Sequence, residues 1–209
     1  MFDTLMIQQC APMINPQLMQ RVISVESSHN PYAIGVVNAH LQRQPQNLAE
    51  AKATAQYLDQ AGYNYSAGLV QVNRSHFNRF NLTLDQVFDP CANLNVGGQI
   101  LAECISRAVK QSYVQEATSK ALSCYYTGQL NSKVGAQYAN KVLASLTVVP
   151  TIHRNGHTPP IALMGSSSIH SAKTSPHNIS TRSARDSTPI GDAVGSETER
   201  AYSDSALVF

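Results

Sequence analysis

The sequence predicts a mainly α-helical domain of the α+β class with a small β-hairpin, followed by a low-complexity tail. Apolar residues recur at helical spacing through most of residues 1–148, and no segment there shows a convincing alternation of apolar and polar residues. The composition changes near Pro150, after which 25 of the 59 residues in 151–209 are Ser, Thr, Pro or Gly. Such segments bury too little apolar surface to fold. We therefore predict a domain over 1–148 and a disordered or loosely ordered tail over 149–209.

The first predicted helix begins at Asn15-Pro16, since Asn is a good N-cap and Pro is favoured in the first turn. Asn30-Pro31 ends the helical region, because the residue before a proline is disfavoured in the α conformation. The apolar stripe of this helix consists of Leu18, Met19, Val22 and Ile23.

Four further helices are predicted at about residues 47–61, 91–109, 112–124 and 133–146. Gly62 ends the second helix. The core candidates of the third are Leu94, Ile100, Leu101, Cys104, Ile105 and Ala108. A short hairpin is predicted within either 34–41 or 63–72.

Charge and hydropathy exclude several classes of partner. The formal net charge is +2, too small to indicate nucleic acid or an anionic membrane as the main partner. No unbroken apolar run is long enough for a membrane span. The segment MFDTLMIQQCAPM has no basic region and is interrupted by Asp3 and Gln8, so it is a poor signal peptide. Export is therefore expected to be unconventional, or the natural start to differ.

Four cysteines, Cys10, Cys91, Cys104 and Cys124, are consistent with two disulfides formed in an oxidising compartment. The alternative is four buried free thiols in a cytosolic protein. No Cys/His spacing fits a zinc site, so no metal is predicted. A Cys91–Cys104 bond is the least favoured pairing, since both residues lie on one predicted helix about 20 Å apart. The other pairings stay open.

Glu26 is the candidate catalytic residue. Leu18, Val22 and Glu26 are spaced i, i+4, i+8, so the carboxylate shares a face with the buried stripe. Burial and the nearby C-terminus of the helix both favour its protonated form. A carboxylic acid that is protonated near neutral pH can act as a general acid. The alternative is a surface glutamate at a frayed helix end.

The other acids between residues 20 and 80 are Glu50 and Asp59. Both fall in the predicted second helix among polar residues, and both are expected to be solvated. The sequence therefore offers no paired carboxylates of the kind that ordinary glycosidases use. A catalytic Glu26 is expected to work alone, first as acid and then as base.

Four short segments stand in order within residues 16–145: ESSHNPYA at 26–33, SAGLVQ at 66–71, DPCANLNVG at 89–97 and ALSCYYTG at 121–128. They resemble the E-S-x-x-N-P-x-A, A-x-G-L-M-Q, D-P-x-x-N-I-x-x-G and A-x-A-Y-N-A-G motifs of the lysozyme-like lytic transglycosylases. The resemblance implies a lysozyme-like fold with Glu26 as the catalytic acid. It also implies cleavage of the β-1,4 bond between N-acetylmuramic acid and N-acetylglucosamine with a 1,6-anhydro product, without a cofactor.

The cysteines, the long insert between the first two motifs and the Ser/Thr-rich tail resemble the VirB1-like branch of this family, which is attached to type IV secretion systems. The resemblance implies a bacterial periplasmic enzyme that acts on peptidoglycan glycan strands and opens the cell wall locally for the secretion channel. It also implies that the tail contacts other components of the secretion system.

The resemblance suggests roles for several further residues. Gln71 would supply amide donors and acceptors to a sugar or N-acetyl group, and Tyr125 would hydrogen-bond the reacting centre. Tyr126 would stack on a sugar ring, and Gly68 would let the backbone approach the substrate. The alternatives are core packing for the tyrosines and an ordinary turn for the glycine.

Other positions are expected to be structural, and two depart from the motifs. Asn93 would brace the third helix, Ser27 would finish the first, and Cys124 would form a disulfide that holds the segment with the tyrosines. Gly35 stands where many family members carry a serine that contacts the active site. Tyr126 stands where the motif has asparagine, so the exact substrate contacts are expected to differ.

Two other functions remain open. A lysozyme-type peptidoglycan hydrolase would use the same fold and Glu26, with water as the attacking group. A non-catalytic assembly protein would instead act through its tail, and Glu26 would be dispensable.

Overall fold

A computed structural model describes residues 4–145 and the two residues Leu163–Met164. Seven α-helices lie within these residues: α1 Thr4–Cys10, α2 Pro16–Ser27, α3 Leu48–Gln60, α4 Leu84–Val87, α5 Pro90–Gln111, α6 Val114–Thr127 and α7 Lys133–Ala144. A short 3₁₀ helix spans Arg74–His76. The five predicted helices are α2, α3, α5, α6 and α7, so the prediction of a mainly helical fold is confirmed.

Side-chain caps explain where the long helices begin. The Asn15 side chain accepts hydrogen bonds from the backbone N–H groups of residues 17 and 18, immediately before Pro16. Asn47 caps α3 in the same way, and Asp89 caps α5. Each side chain satisfies a backbone donor that the helix itself leaves without a partner. These local signals are why the predicted helix starts agree closely with the structure.

Helix α2 ends at Ser27, three residues before Asn30. Ser28 and His29 follow with φ angles of 49° and 66°, in the left-handed region. The chain therefore leaves the helix directly after Glu26 and Ser27. The boundary that Asn30-Pro31 predicts thus lies three residues beyond the last residue of the helix.

The short helices α1 and α4 were not among the predicted elements. Helix α1 has seven residues, of which Ile7 and Cys10 are buried. Helix α4 has four residues and is fixed by a capping box between Thr83 and Gln86. One or two turns carry too little hydrophobic periodicity to stand out.

The predicted hairpin is part of a three-stranded antiparallel sheet with the order β1-β3-β4. Strand β1 (Ile34–Val36) pairs with β3 (Tyr65–Ala67), and β3 pairs with β4 (Val72–Asn73). Both segments that we considered for the hairpin therefore contribute, instead of one of them. Helix α3 lies between β1 and β3 in the chain, so their pairing is a long-range contact that a local sequence pattern does not predict.

Strand β2 (His40–Leu41) pairs with β5 (Leu163–Met164) in a separate antiparallel ladder. Strand β5 falls within the predicted tail. The rest of 149–209 lies outside the described residues, so the predicted domain boundary and the character of the tail stay predictions.

One cluster of buried apolar side chains draws on all seven helices and on the three-stranded sheet. Helix α5 contacts α1, α4 and α6. The disulfides are Cys10–Cys91, which joins α1 to α5, and Cys104–Cys124, which joins α5 to α6. All four cysteines are thus paired, and the alternative of free thiols is wrong. Among residues 4–145, no helix combines the length and apolar character that a membrane crossing needs.

Candidate active site

Glu26 lies in the last turn of α2 and is buried, with 5% of its surface exposed. Val22 and Ile23 of the same helix are fully buried around it, as their shared face predicts. The Tyr138 hydroxyl of α7 donates a hydrogen bond to Glu26 Oε1 at 2.5 Å. Glu26 is therefore a carboxyl group enclosed by the domain and held by one specific donor.

Burial raises the pKa of Glu26 from 4.5 to about 7. The hydrogen bond from Tyr138 and the positive charge of Lys141 both lower this pKa, but less than desolvation raises it. Burial and the neighbouring Glu26 also raise the pKa of Tyr138 well above its usual value, so the phenol stays a donor. Burial thus favours the protonated acid, and the carboxylate that forms on its ionisation accepts a hydrogen bond from Tyr138.

The expectation that Glu50 is solvated is wrong. Its side chain is buried and accepts hydrogen bonds from Nη1 and Nη2 of Arg43, at 2.6 and 3.0 Å, and from the backbone N–H of Gln46 at 3.1 Å. The loop before α3 folds back over the first turn of that helix, where a negative charge is also favoured. Buried carboxylates need such partners. Asp59 is half-buried and forms an ion pair with Arg74.

Asn93 of α5 is completely buried and holds the turn between β3 and β4. The Asn93 side chain accepts from Val70 N and donates to the carbonyls of Ala67 and Val87, at 2.9, 3.0 and 2.9 Å. Its amide is thus occupied by backbone groups of the turn and of α4.

Gly68 begins this turn with a φ of +85°. A Cβ atom at Gly68 would lie 2.2 Å from Asn93 Nδ2 and 2.6 Å from the Val87 carbonyl oxygen. Both the left-handed backbone and the close contact require glycine here. The glycine is therefore needed for packing against Asn93, whatever role it has toward a substrate.

Gln71 closes the same turn with a φ of 49°. Its Nε2 donates to the carbonyl oxygens of Ala33 and Gly68, at 3.0 and 2.9 Å. The Ala33 carbonyl also accepts from Gly68 N at 2.9 Å. The side chain of Gln71 thereby joins the turn to the segment that follows Glu26, and its amide donors are already used within the protein.

The two tyrosines at the end of α6 have different surroundings, and both are half-buried. The Tyr125 hydroxyl donates to the Val70 carbonyl at 2.6 Å, which fixes α6 to the turn after β3. The Tyr126 ring stacks on Tyr138, with ring centroids 4.6 Å apart and planes at 8°. Tyr126 thus supports the residue that holds Glu26. Gly128 ends the helix in the left-handed region.

Comparison with known proteins identifies the family. The model of the transglycosylase SLT domain matches residues 4–145. The chain belongs to the SLT transglycosylase family. Its predicted enzyme class, lytic transglycosylase, is confirmed by this match and by its relatives.

The relatives are VirB1 proteins. The type IV secretion system proteins VirB1 of Brucella abortus strain 2308 and Brucella suis biovar 1 are each 45% identical over 161 residues, which cover 70% of this chain and 68% of theirs. The protein VirB1 of Agrobacterium fabrum is 27% identical over 146 residues, 69% of this chain and 60% of its own. The VirB1-like resemblance is thus confirmed. No solved structure matches the chain.

Within this SLT domain, sequence reasoning missed Tyr138 and Lys141 of α7. Tyr138 falls on the buried stripe of that helix with Ala139 and Val142, where it looks like an ordinary core aromatic. It lies 112 residues from Glu26 along the chain. No spacing rule connects two such positions, and only the packing of α2 against α7 brings them together.

Ser27 lies next to the catalytic candidate but turns back into its own helix. Its hydroxyl donates to the Ile23 carbonyl at 3.1 Å, and the side chain is buried. This contact suits a residue that finishes α2. Across residues 4–145, no three His, Cys, Asp or Glu side chains gather as metal ligands would.

Proposed function

We propose that this chain cleaves the β-1,4 bond between N-acetylmuramic acid and N-acetylglucosamine in peptidoglycan and releases a 1,6-anhydro product. The observation that carries the proposal is Glu26, a buried carboxyl group whose pKa is raised to about 7 beside a single phenol donor. Such a group can give a proton and take one back at the same pH. The other two acids between residues 20 and 80, Glu50 and Asp59, are each paired with an arginine, which supports a mechanism with one carboxylate.

In the proposed reaction, Glu26 protonates the glycosidic oxygen as the bond to the muramyl anomeric carbon breaks. Oε1 accepts from Tyr138, so we assign the transferable proton to Oε2. Positive charge develops on the sugar and is stabilised by the substrate's own N-acetyl group. The Glu26 carboxylate then takes the proton of the muramyl 6-hydroxyl, whose oxygen bonds to the anomeric carbon. The acid is restored, and no water is consumed.

Tyr138 and Lys141 act on the second half of this cycle. Both favour the carboxylate form of Glu26, by a hydrogen bond and by charge. Once the proton has moved to the leaving group, the carboxylate therefore has a donor already in place. Without these two groups, desolvation alone would make the Glu26 carboxylate a strong base. It would also make this carboxylate energetically costly to form in the first step.

The substrate contacts follow from which side-chain atoms are already engaged. The donors of Gln71 are used on backbone carbonyls, so its Oε1 is the atom assigned to a sugar hydroxyl or N-acetyl N–H. Tyr125, Tyr126 and Gly68 are assigned to the same substrate site by the motif resemblance. Ser27, Asn93 and the Cys104–Cys124 disulfide keep these groups in place.

The cellular setting rests on the relatives and on the disulfides. Proteins named for type IV secretion systems are 45% identical to this chain, so the proposed role is local opening of the wall during assembly of a secretion system. Two disulfides support an oxidising compartment, the bacterial periplasm. The segment 149–209 would contact other components of that system.

The test is mass spectrometry of the fragments that the full oxidised chain releases from purified peptidoglycan, beside Glu26→Gln. Fragments one water lighter than hydrolytic products, absent with the variant, are expected. Fragments with reducing ends would make the protein a lysozyme-type hydrolase. No release by a folded wild type, together with normal secretion by cells that carry Glu26→Gln, would support an assembly protein.

A further inference from the structure

A surface cavity of about 360 Å³ lies beside the Cys104–Cys124 disulfide. Its walls come from the middle of α5, from His76 and Arg79 after β4, and from Cys124 and residues 127–129 at the end of α6. Apart from the Cys104–Cys124 disulfide, which holds α6 in place, the mechanism proposed for Glu26 uses none of the residues that line it. The cavity therefore needs an explanation of its own.

The position of the cavity relates it to the candidate active site. A Cβ atom at Gly97 of α5 would lie 3.1 Å from the Tyr125 hydroxyl oxygen. Ile100, Cys104 and Arg107 follow Gly97 on the same helix face, and the last of them lies about 15 Å further along the helix axis. The other two walls directly follow the segments that carry Gln71 and Tyr126. The cavity thus lies further along α5 from the point where this helix meets Tyr125.

The charges in the cavity leave one arginine without a counterion. Arg79 forms an ion pair with Glu103. Arg107 is exposed and makes no ion pair with any of the described residues. Its Nη2 donates to the Gly128 carbonyl at 3.2 Å, and its Nη1 lies 3.3 Å from Cys124 Sγ. These two contacts orient the guanidinium group and leave three of its five N–H donors for a ligand.

We propose that this cavity is a subsite for a carboxylate of the peptide stem of a glycan strand, with Arg107 as its anion-binding group. A fixed guanidinium fork matches a carboxylate with two parallel hydrogen bonds. The stems of peptidoglycan carry free carboxylates at a distance from the sugar backbone, as a site that shares no residue with the surroundings of Glu26 requires. The inference rests on the proposed function, since it specifies part of the same substrate.

A purely structural role for Arg107 is the competing explanation. The side chain donates to a carbonyl at the C-terminus of α6, where positive charge is favoured. In that case Arg107 would stabilise the helix end and would not distinguish a charged ligand from a neutral one. The two explanations differ in ligand charge preference, which a binding measurement reports without turnover.

The experiment measures dissociation constants in the Glu26→Gln background of the full oxidised chain. One ligand is a soluble tetrasaccharide of the glycan strand with tetrapeptide stems, and the other is the same molecule with its stem carboxylates converted to amides. The Glu26→Gln protein should bind the acid form about fivefold to tenfold more tightly than the amide form. Adding Arg107→Gln should abolish this preference. Adding Lys110→Gln, which removes a charge one turn further along α5, should retain it.

Each outcome decides a different claim. A preference that survives Arg107→Gln, or equal binding of both ligands by the Glu26→Gln protein, overturns the subsite and leaves the proposed function intact. Equal weakening of both ligands by Arg107→Gln indicates the structural role. If neither ligand binds the Glu26→Gln protein, the proposed substrate and the subsite are both wrong.

Discussion

Two opposing effects set the proton affinity of Glu26 at the scale of a single side chain. Burial removes the water that would stabilise the carboxylate, and this raises the pKa to about 7. The Tyr138 hydrogen bond favours the carboxylate and limits the rise. A fully exposed glutamate would be ionised at neutral pH and would have no proton to donate. A buried glutamate without a hydrogen-bond donor would hold its proton more tightly and donate it less readily. The Glu26–Tyr138 pair lies between these two cases.

The raised pKa predicts how the stability of the protein depends on pH. Between pH 4.5 and about 7 the folded protein binds more protons than the unfolded chain, so the free energy of unfolding falls as pH rises. Glu26→Gln removes this titration and keeps an oxygen that can accept from Tyr138. We expect the variant to be more stable than wild type by about 3 kcal/mol at pH 8, and nearly equal to it at pH 4.

Urea unfolding of both proteins at the two pH values measures this difference. Gln20→Glu is the matched control in the same helix, because it places a carboxyl group outside the core. Its free energy of unfolding relative to wild type should change little between pH 4 and pH 8. A stability difference for Glu26→Gln that is the same at both pH values would contradict the raised pKa.

At the scale of one element, the turn between β3 and β4 joins the two halves of the site. Asn93 binds it from α5, Tyr125 from α6, and Gln71 connects it to the segment after Glu26. Its conformation depends on Gly68, whose missing side chain leaves room for the Asn93 amide. The turn therefore links the positions of α5 and α6 to the position of Glu26.

Gly68→Ala should destabilise the protein by about 2–4 kcal/mol, because it combines a strained φ with a clash against a buried amide and a backbone carbonyl. Gly62→Ala is the matched control. Gly62 also has a positive φ, of +74°, but no atom lies within 4 Å of its added Cβ. It should cost only about 1 kcal/mol, the backbone term alone. Denaturant unfolding of both variants separates packing from conformation, and equal losses would contradict the contact with Asn93.

The elements that the sequence predicts well are those with local causes. Asn15-Pro16, Asn47 and Asp89 each satisfy a nearby helix terminus, so the start of α2, α3 and α5 can be located without tertiary information. The burial of Glu26 follows from its i+4 spacing to Val22. Strand β1 is different, because its partner β3 is brought to it only by the packing of the domain.

The parts of the site that the sequence does not predict depend on long-range contacts. Glu50 lies among polar neighbours, yet Arg43 folds over it and makes it a buried ion pair. Tyr138 lies on an ordinary apolar stripe, yet it faces Glu26 from another helix. The residue type alone indicates neither partner. The motif resemblance points to Glu26 and to the turn, whereas the hydrogen-bond donor to Glu26 is found only in the fold.

At the scale of the whole molecule, the two disulfides constrain different lengths of chain. Cys10–Cys91 closes 81 residues and ties α1 to the first turn of α5, whereas Cys104–Cys124 closes 20 residues within the α5–α6 pair. The loss of chain entropy in the unfolded state grows with loop length. The longer loop should therefore contribute more to stability, while the shorter one holds the helix end that carries Tyr125 and Tyr126.

We therefore expect the longer disulfide loop to matter more for stability and the shorter one to matter more for activity. Replacing both cysteines of the 81-residue loop with alanine should lower the free energy of unfolding by about 4–5 kcal/mol, and replacing those of the 20-residue loop by about 3 kcal/mol. The rate of glycan cleavage, measured where both variants are folded, should fall more for Cys104→Ala/Cys124→Ala, since Tyr125 then loses the anchor next to it. If both readouts rank the variants alike, the shorter disulfide stabilises the domain without positioning the cleft.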